Sequence, residues 1–164
     1  MNLKNAKRIN REKRGQISGE ELNDYRGVAT HELIEMLNSD NPQKRTISAN
    51  ILGERQETNA ITPLCMAFKR EKALYSRIAI SEALSQIGDP AIGPLIYLLG
   101  KIGKNQETEL PQKYFNKKSY PLVRDMAART LVKIGKPATP DLIKIIQTDD
   151  DFKIQQAIDA IGGI

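Results

Sequence analysis

Apolar residues recur along this chain in short blocks with helical spacing. Thr30 to Leu37, Ile61 to Phe68, Ile92 to Leu99 and Thr139 to Ile146 share one i, i+3, i+4 stripe. The stripe reads Leu33, Met36, Leu37; then Leu64, Ala67, Phe68; then Leu95, Leu98, Leu99; and finally Leu142, Ile145, Ile146. That period puts the apolar residues of each block on one face of a helix of two to three turns. Between these blocks, here called B-type, lie A-type blocks that also align without gaps: Ser76 to Gly88, Val123 to Gly135 and Asp150 to Gly162. A less regular A-type copy runs from Lys44 to Leu52, with Arg55 where the others have isoleucine. The leucines at the head of the B-type stripes are separated by 31, 31 and 47 residues, so the last interval holds an insertion after Leu99. No segment alternates like a strand.

The block ends carry stop and start signals. Asn41-Pro42, Thr62-Pro63, Gly93-Pro94 and Thr139-Pro140 predict a cap followed by proline at the first helical position, where the missing N–H costs nothing. Gly88 and Gly135 stand where a left-handed C-terminal cap wants glycine. Ser18 and Glu21 form a capping-box pattern, and Leu3, Ala6 and Ile9 make a faint stripe in a polar arm. The unit is helix A, tight turn, helix B, short link.

Two of these copies resemble a known family. Arg77, Ala83-Leu84, Ile87 to Ile92, Pro94 to Ile96 and Leu98-Leu99 look like a HEAT-like repeat of the bilin-lyase (PBS lyase) type. Val123-Arg124, Ala127-Ala128, Leu131, Ile134-Gly135, Pro140 and Leu142-Ile143 are similar. The resemblance spans about residues 28–164. It implies an all-α fold, an α-solenoid of antiparallel helix pairs (HEAT-like or armadillo-type), in which each unit buries its face against its neighbours. Residues 1–27 then read as a basic arm with a capping helix, and about 101–120 as an insertion. Most members of this family are binding scaffolds and a minority are enzymes, so fold does not name function.

Charge changes the picture at two places. Residues 1–20 hold Lys4, Lys7, Arg8, Arg11, Lys13 and Arg14 against Glu12 and Glu20. Residues 101–120 hold Lys101, Lys104, Lys113, Lys117 and Lys118 against Glu107 and Glu109. The net charge of +5 comes from these two segments on a slightly acidic body. Basic clusters attract nucleic acid or acidic proteins, and they also occur as solvated surface. No apolar run approaches the ~18 residues of a membrane-spanning helix, and the polar stretch from Met1 to Arg14 lacks the apolar core of a signal peptide, so a cytoplasmic location is expected.

Little here promises catalysis. The 164 residues include one histidine, one cysteine and no tryptophan. His31-Glu32 is a single pair, where HEAT-type hydroxylases that hold two irons use several, so no metal is expected. The tryptophan used by HEAT-like DNA glycosylases is absent. Cys65 aligns with Ile34, Ile96 and Ile143 and reads as a small buried hydrophobe. Gly100 to Lys104 lacks the spacing and hydroxyl of a phosphate loop. Arg45, Arg77 and Arg124 recur near the start of the A-type helices; in the family such an arginine ties neighbouring units through carboxylates or carbonyls. The expectation is a non-catalytic protein with no cofactor.

Binding is therefore sought on exposed rows of the B-type helices. One row is Glu35, Met66, Tyr97 and Lys144; the next is Asn38, Lys69, Gly100 and Gln147. Met66 and Tyr97 stand where polar residues are expected, and such side chains are frequent at interface centres. Tyr114 and Phe115, among the lysines of the insertion, could grip an acidic peptide, stack on bases, or anchor the loop. Three functions follow: a protein-interaction scaffold; a nucleic-acid-binding module using Arg8, Arg11, Arg14, Lys113, Lys117 and Lys118; and an accessory subunit of a bilin-lyase-like enzyme. Ile154, Ile158 and Ile161 form an apolar A-type edge without a following B partner, which suggests self-association.

Overall fold

The computed structural model describes residues 3–101 and 123–164. Among the described residues the protein is all-helical, with ten α-helices and no strand. It divides between Ala91 and Ile92 into two compact units. The first holds α1 (Leu3–Glu12), α2 (Gly19–Asn23), α3 (Thr30–Met36), α4 (Pro42–Glu54), α5 (Ile61–Arg70) and α6 (Leu74–Ile87). The second holds α7 (Ile92–Leu98), α8 (Val123–Ile134), α9 (Thr139–Ile146) and α10 (Asp151–Gly163).

Within each unit a B-type helix packs on the A-type helix that follows it. In the first unit α3 lies on α4 and α5 on α6, while α4 and α6 make the most extensive helix contact. In the second, α7 packs on α8 and α9 on α10, with α8 against α10 and α7 against α9. The repeated leucines form the centre of each core: Leu33, Leu64, Leu95 and Leu142 are all fully buried. Burying one such side chain stabilises the fold by about 1.5–3 kcal/mol. Leu37, Phe68 and Leu99, one turn on, are buried as well. Ile146, expected in the same stripe, is 37% exposed, although α9 packs against both α10 and α7.

Several helix ends follow the expected chemistry. Asn41 caps α4 by accepting from the Gln43 N–H at 2.8 Å, with Pro42 behind it. Ser18 and Glu21 close both bonds of the capping box, at 3.2 and 2.7 Å. Thr62, Gly93 and Thr139, expected as caps, lie instead inside the first turns of α5, α7 and α9. Each of these helices grows out of a one-turn 3₁₀ segment, Thr58–Ala60, Asp89–Ala91 or Lys136–Ala138. Their prolines fall at the second or third helical residue, still within the turn whose N–H groups have no partner to lose.

Gly88 and Gly135 end α6 and α8 at φ 78°, ψ −135° and φ 82°, ψ −145°. This is not the left-handed helical cap but the mirror image of extended backbone, a region that glycine alone enters readily. Gly162 makes no such turn, since α10 runs on through Gly163. In the first copy the equivalent residue is Gln56, held at φ 52° and fastened by its side-chain amide to the Gln86 carbonyl at 2.9 Å. Beside it, Arg55 departs from the apolar consensus for a visible reason. Its guanidinium donates to the carbonyls of Arg26 and Val28 at 2.7 and 2.9 Å, fixing the segment that leads into α3.

The N-terminal arm is anchored where Gly15 (φ 90°) meets α4 and α6. A Cβ there would lie 2.7 Å from the Ser76 hydroxyl and 2.8 Å from that of Thr46. Those hydroxyls are 3.0 Å apart and both reach the Pro42 carbonyl. The Arg14 carbonyl accepts from the Tyr75 N–H, and that of Gln16 accepts from the Gln43 amide, both at 3.0 Å.

Candidate functional site

In the first unit, Glu35 on α3 and Met66 on α5 both face solvent, and Met66 is 57% exposed two residues after the fully buried Leu64. Lys69, one turn beyond Cys65, is half-buried. Burial pushes the Cys65 thiol up to about 11, and the nearby Lys69 charge only partly opposes this. Cys65 is thus the inert core residue that its alignment suggested.

In the second unit, Tyr97 on α7 is 60% exposed, again two residues after a fully buried leucine. The Lys101 Nζ sits 5.2 Å from its ring centroid, a cation–π contact worth about 0.5–1 kcal/mol at such a site. Lys144 on α9 is exposed and paired with Asp141 at 2.8 Å. Asn38 and Gln147 are exposed, and Gly100 is half-buried.

The recurring arginines serve the fold. Arg45 meets Glu71 through two parallel bonds, and its remaining Nη1 donates to the Ser39 and Asp40 carbonyls at 2.6 and 3.1 Å. Arg77 is buried and donates to the Glu71 carbonyl; burial lowers its pKa and the Glu71 charge works against that. Arg124 stands apart. Its Nε lies 3.7 Å from Asp125 and has no hydrogen-bond partner among the described residues. Around the Arg45–Glu71 pair lies a polar hollow of about 260 Å³, lined also by Asn38, Asp40, Arg70 and Lys72. Arg70 is committed there to the Asn38 side chain and the Leu37 carbonyl.

Lys7, Arg8, Arg11, Lys13 and Arg14 of the arm are exposed. Arg8 pairs loosely with Glu12 at 3.5 Å, while Arg11 and Arg14 point to solvent. Ala6 and Ile9 are half-buried, in keeping with the faint stripe. Tyr114 and Phe115, with Lys113, Lys117 and Lys118, lie outside the described residues. At the C-terminal edge Ile154 and Ile161 are half-buried, and Ile158 is 53% exposed. His31 is on the surface of α3.

Glu71, Ile78 and Phe152 escaped the sequence reading. A buried carboxylate in the link Arg70-Glu71-Lys72 looks like ordinary surface charge until Arg45 is placed beside it. Ile78 and Phe152 are 45% and 65% exposed, and only the fold reveals that they lack cover. Among the described residues no group of three His, Cys, Asp or Glu side chains could hold a metal ion, and no helix is long and apolar enough to cross a membrane. No protein-family model matches the chain, and a search of curated proteins finds no match to it.

Proposed function

We propose that this chain is an α-solenoid of HEAT-like repeats acting as a non-catalytic, cytoplasmic protein-interaction scaffold. Glu35, Met66, Lys69, Tyr97 and Lys144 would supply contact residues, as would Tyr114 and Phe115 of the insertion. The solenoid reading is supported by the pairing of each B-type helix with its successor in both units. The observation that carries the binding reading is the exposure of Met66 and Tyr97, at 57% and 60%, at one repeated position next to fully buried leucines. Large exposed apolar and aromatic side chains at equivalent positions suit an interface centre.

The test is capture from a source lysate with the wild-type chain and with Met66→Ala/Tyr97→Ala, with and without nuclease. A discrete protein that survives nuclease and is lost from the double variant supports the scaffold. Undiminished capture by the variant removes these residues from the interface. The exposed Lys7, Arg8 and Arg11 on α1 favour a second reading, binding to a nucleic-acid backbone. That reading requires affinity to fall steeply with salt, since each neutralised phosphate releases counterions.

A further inference from the structure

Two sulfur atoms that are neighbours in sequence stand in opposite surroundings. Cys65 and Met66 follow one another on α5, where each residue is turned about 100° from the last. Cys65 is 7% exposed and belongs to the core, whereas Met66 is 57% exposed. Met126 on α8 is also only 7% exposed, and Met36 on α3 is half-buried. Met1 lies outside the described residues. A thiol ordinarily outcompetes a thioether for peroxide, because its thiolate is the stronger nucleophile. Here little solvent reaches Cys65, and burial pushes its thiol from 9.0 up to about 11. The thiolate present at neutral pH falls about a hundredfold in consequence. The Met66 thioether has no proton to lose and needs only access.

We propose that Met66, and not Cys65, is the sulfur through which the folded chain reacts with hydroperoxides, and that its oxidation is a reversible switch on the exposed face of α5. The Met66 sulfur lone pair attacks one peroxide oxygen and the O–O bond breaks. The departing hydroxide takes the proton from the transferred oxygen and leaves as water. The sulfur is oxidised to a sulfoxide and the peroxide is reduced. A methionine sulfoxide reductase returns the thioether with electrons from two thiols, which close to a disulfide. The sulfoxide oxygen puts a strong acceptor where an apolar group stood. Since Met66 faces solvent, that oxygen is hydrated, and the buried Leu64 and Phe68 of the same helix keep their packing. The effect on binding rests on the scaffold reading, in which Met66 is a contact residue; the choice of sulfur does not.

The experiment treats the full folded chain with hydrogen peroxide at neutral pH and follows each sulfur by peptide mass mapping. Met66 should gain one oxygen at least about tenfold faster than Cys65 and Met126, with Met36 between. Helicity and the urea midpoint should not change. In urea Cys65 should overtake Met66, because unfolding restores its thiolate. Cys65 oxidised first in the folded chain overturns the proposal, as does Met66 reacting no faster than Met126, or helicity lost when Met66 alone is oxidised. The switch is read by capture from a source lysate with the native, the oxidised and the reductase-treated chain. Met66→Leu, which keeps an apolar side chain but takes up no oxygen, is run beside them. Oxidation should weaken capture on the order of tenfold, the reductase should restore it, and Met66→Leu should be indifferent to peroxide. Capture unchanged by oxidation of Met66 overturns the switch. If the native chain itself captures nothing, the scaffold reading fails and the switch with it, while the mapping still decides which sulfur reacts.

Discussion

Arg45 holds Glu71 by two parallel bonds, Nε to Oε2 at 2.7 Å and Nη2 to Oε1 at 2.8 Å. The glutamate's Oε1 also accepts the backbone N–H groups of Lys72 and Ala73 at 2.9 and 2.8 Å, shaping the bend between α5 and α6. One buried carboxylate thus joins the start of one A-type helix to the entry of the next.

Glu71→Ala should therefore cost about 3 kcal/mol, because the largely buried Arg45 guanidinium loses its partner and two backbone donors lose their acceptor. Glu71→Gln should cost less, since its amide oxygen can still accept from those donors. Urea unfolding of the two variants checks the order. Equal losses would show that the two backbone bonds of the turn contribute nothing beyond the ion pair.

Gln56→Gly should leave stability within about 0.5 kcal/mol of the wild type. Releasing a non-glycine residue from positive φ gains about 1 kcal/mol, while the added freedom of the unfolded chain and the lost side-chain bond to the Gln86 carbonyl take it back. Gln56→Ala should instead destabilise, since the strain stays and the bond to Gln86 goes. Thermal unfolding of both variants separates the two terms.

Gly15→Ala should loosen the arm. The new methyl group would overlap the Ser76 and Thr46 hydroxyls, and its φ of 90° would be strained as well. A loss of about 2 kcal/mol is expected, with faster amide exchange at Tyr75, whose N–H bonds the Arg14 carbonyl. Unchanged exchange there would mean that the arm is not held through this turn.

Cys65 should resist thiol reagents in the native state and react at once after unfolding. Its folded pKa of about 11 lies above its ordinary value of 9.0, so the unfolded state releases the proton first as pH rises. Stability relative to Cys65→Ala should hold below pH 9 and decline between about 9 and 11, by up to roughly 2 kcal/mol. A flat difference between the two proteins across that range would contradict the burial argument.

The helices were legible because their signals are local. The i, i+3, i+4 stripes placed α3, α5, α7 and α9, the aligned A-type blocks placed α4, α6, α8 and α10, and Asn41 and the Ser18–Glu21 pair marked two starts that the backbone adopts. The other starts slipped by a residue or two, since a 3₁₀ turn leading into a helix has no side-chain signature. Ile146 shows a different limit. Its own stripe matches Leu37, Phe68 and Leu99, and only the helix beside it decides whether it is covered. Glu71 and Ile78 are of the same kind, their roles being set by neighbours distant in sequence. For the candidate site, the exposure of Met66 and Tyr97 followed from their offset from the core leucines, whereas the seating of the arm against α4 and α6 depended on the turn at Gly15.

The pairing of each B-type helix with its immediate successor also has a kinetic consequence. Helices α3 and α4, or α9 and α10, are complete partners within a few dozen residues of chain, so the closing loops are short and ordering them costs little entropy. During synthesis α3 can settle on α4 before α5 has been made, and within the first unit α5 and α6 can then be added to a surface that is already formed. A nascent chain halted after α6 should already protect the amides of α4, before any residue of the second unit exists.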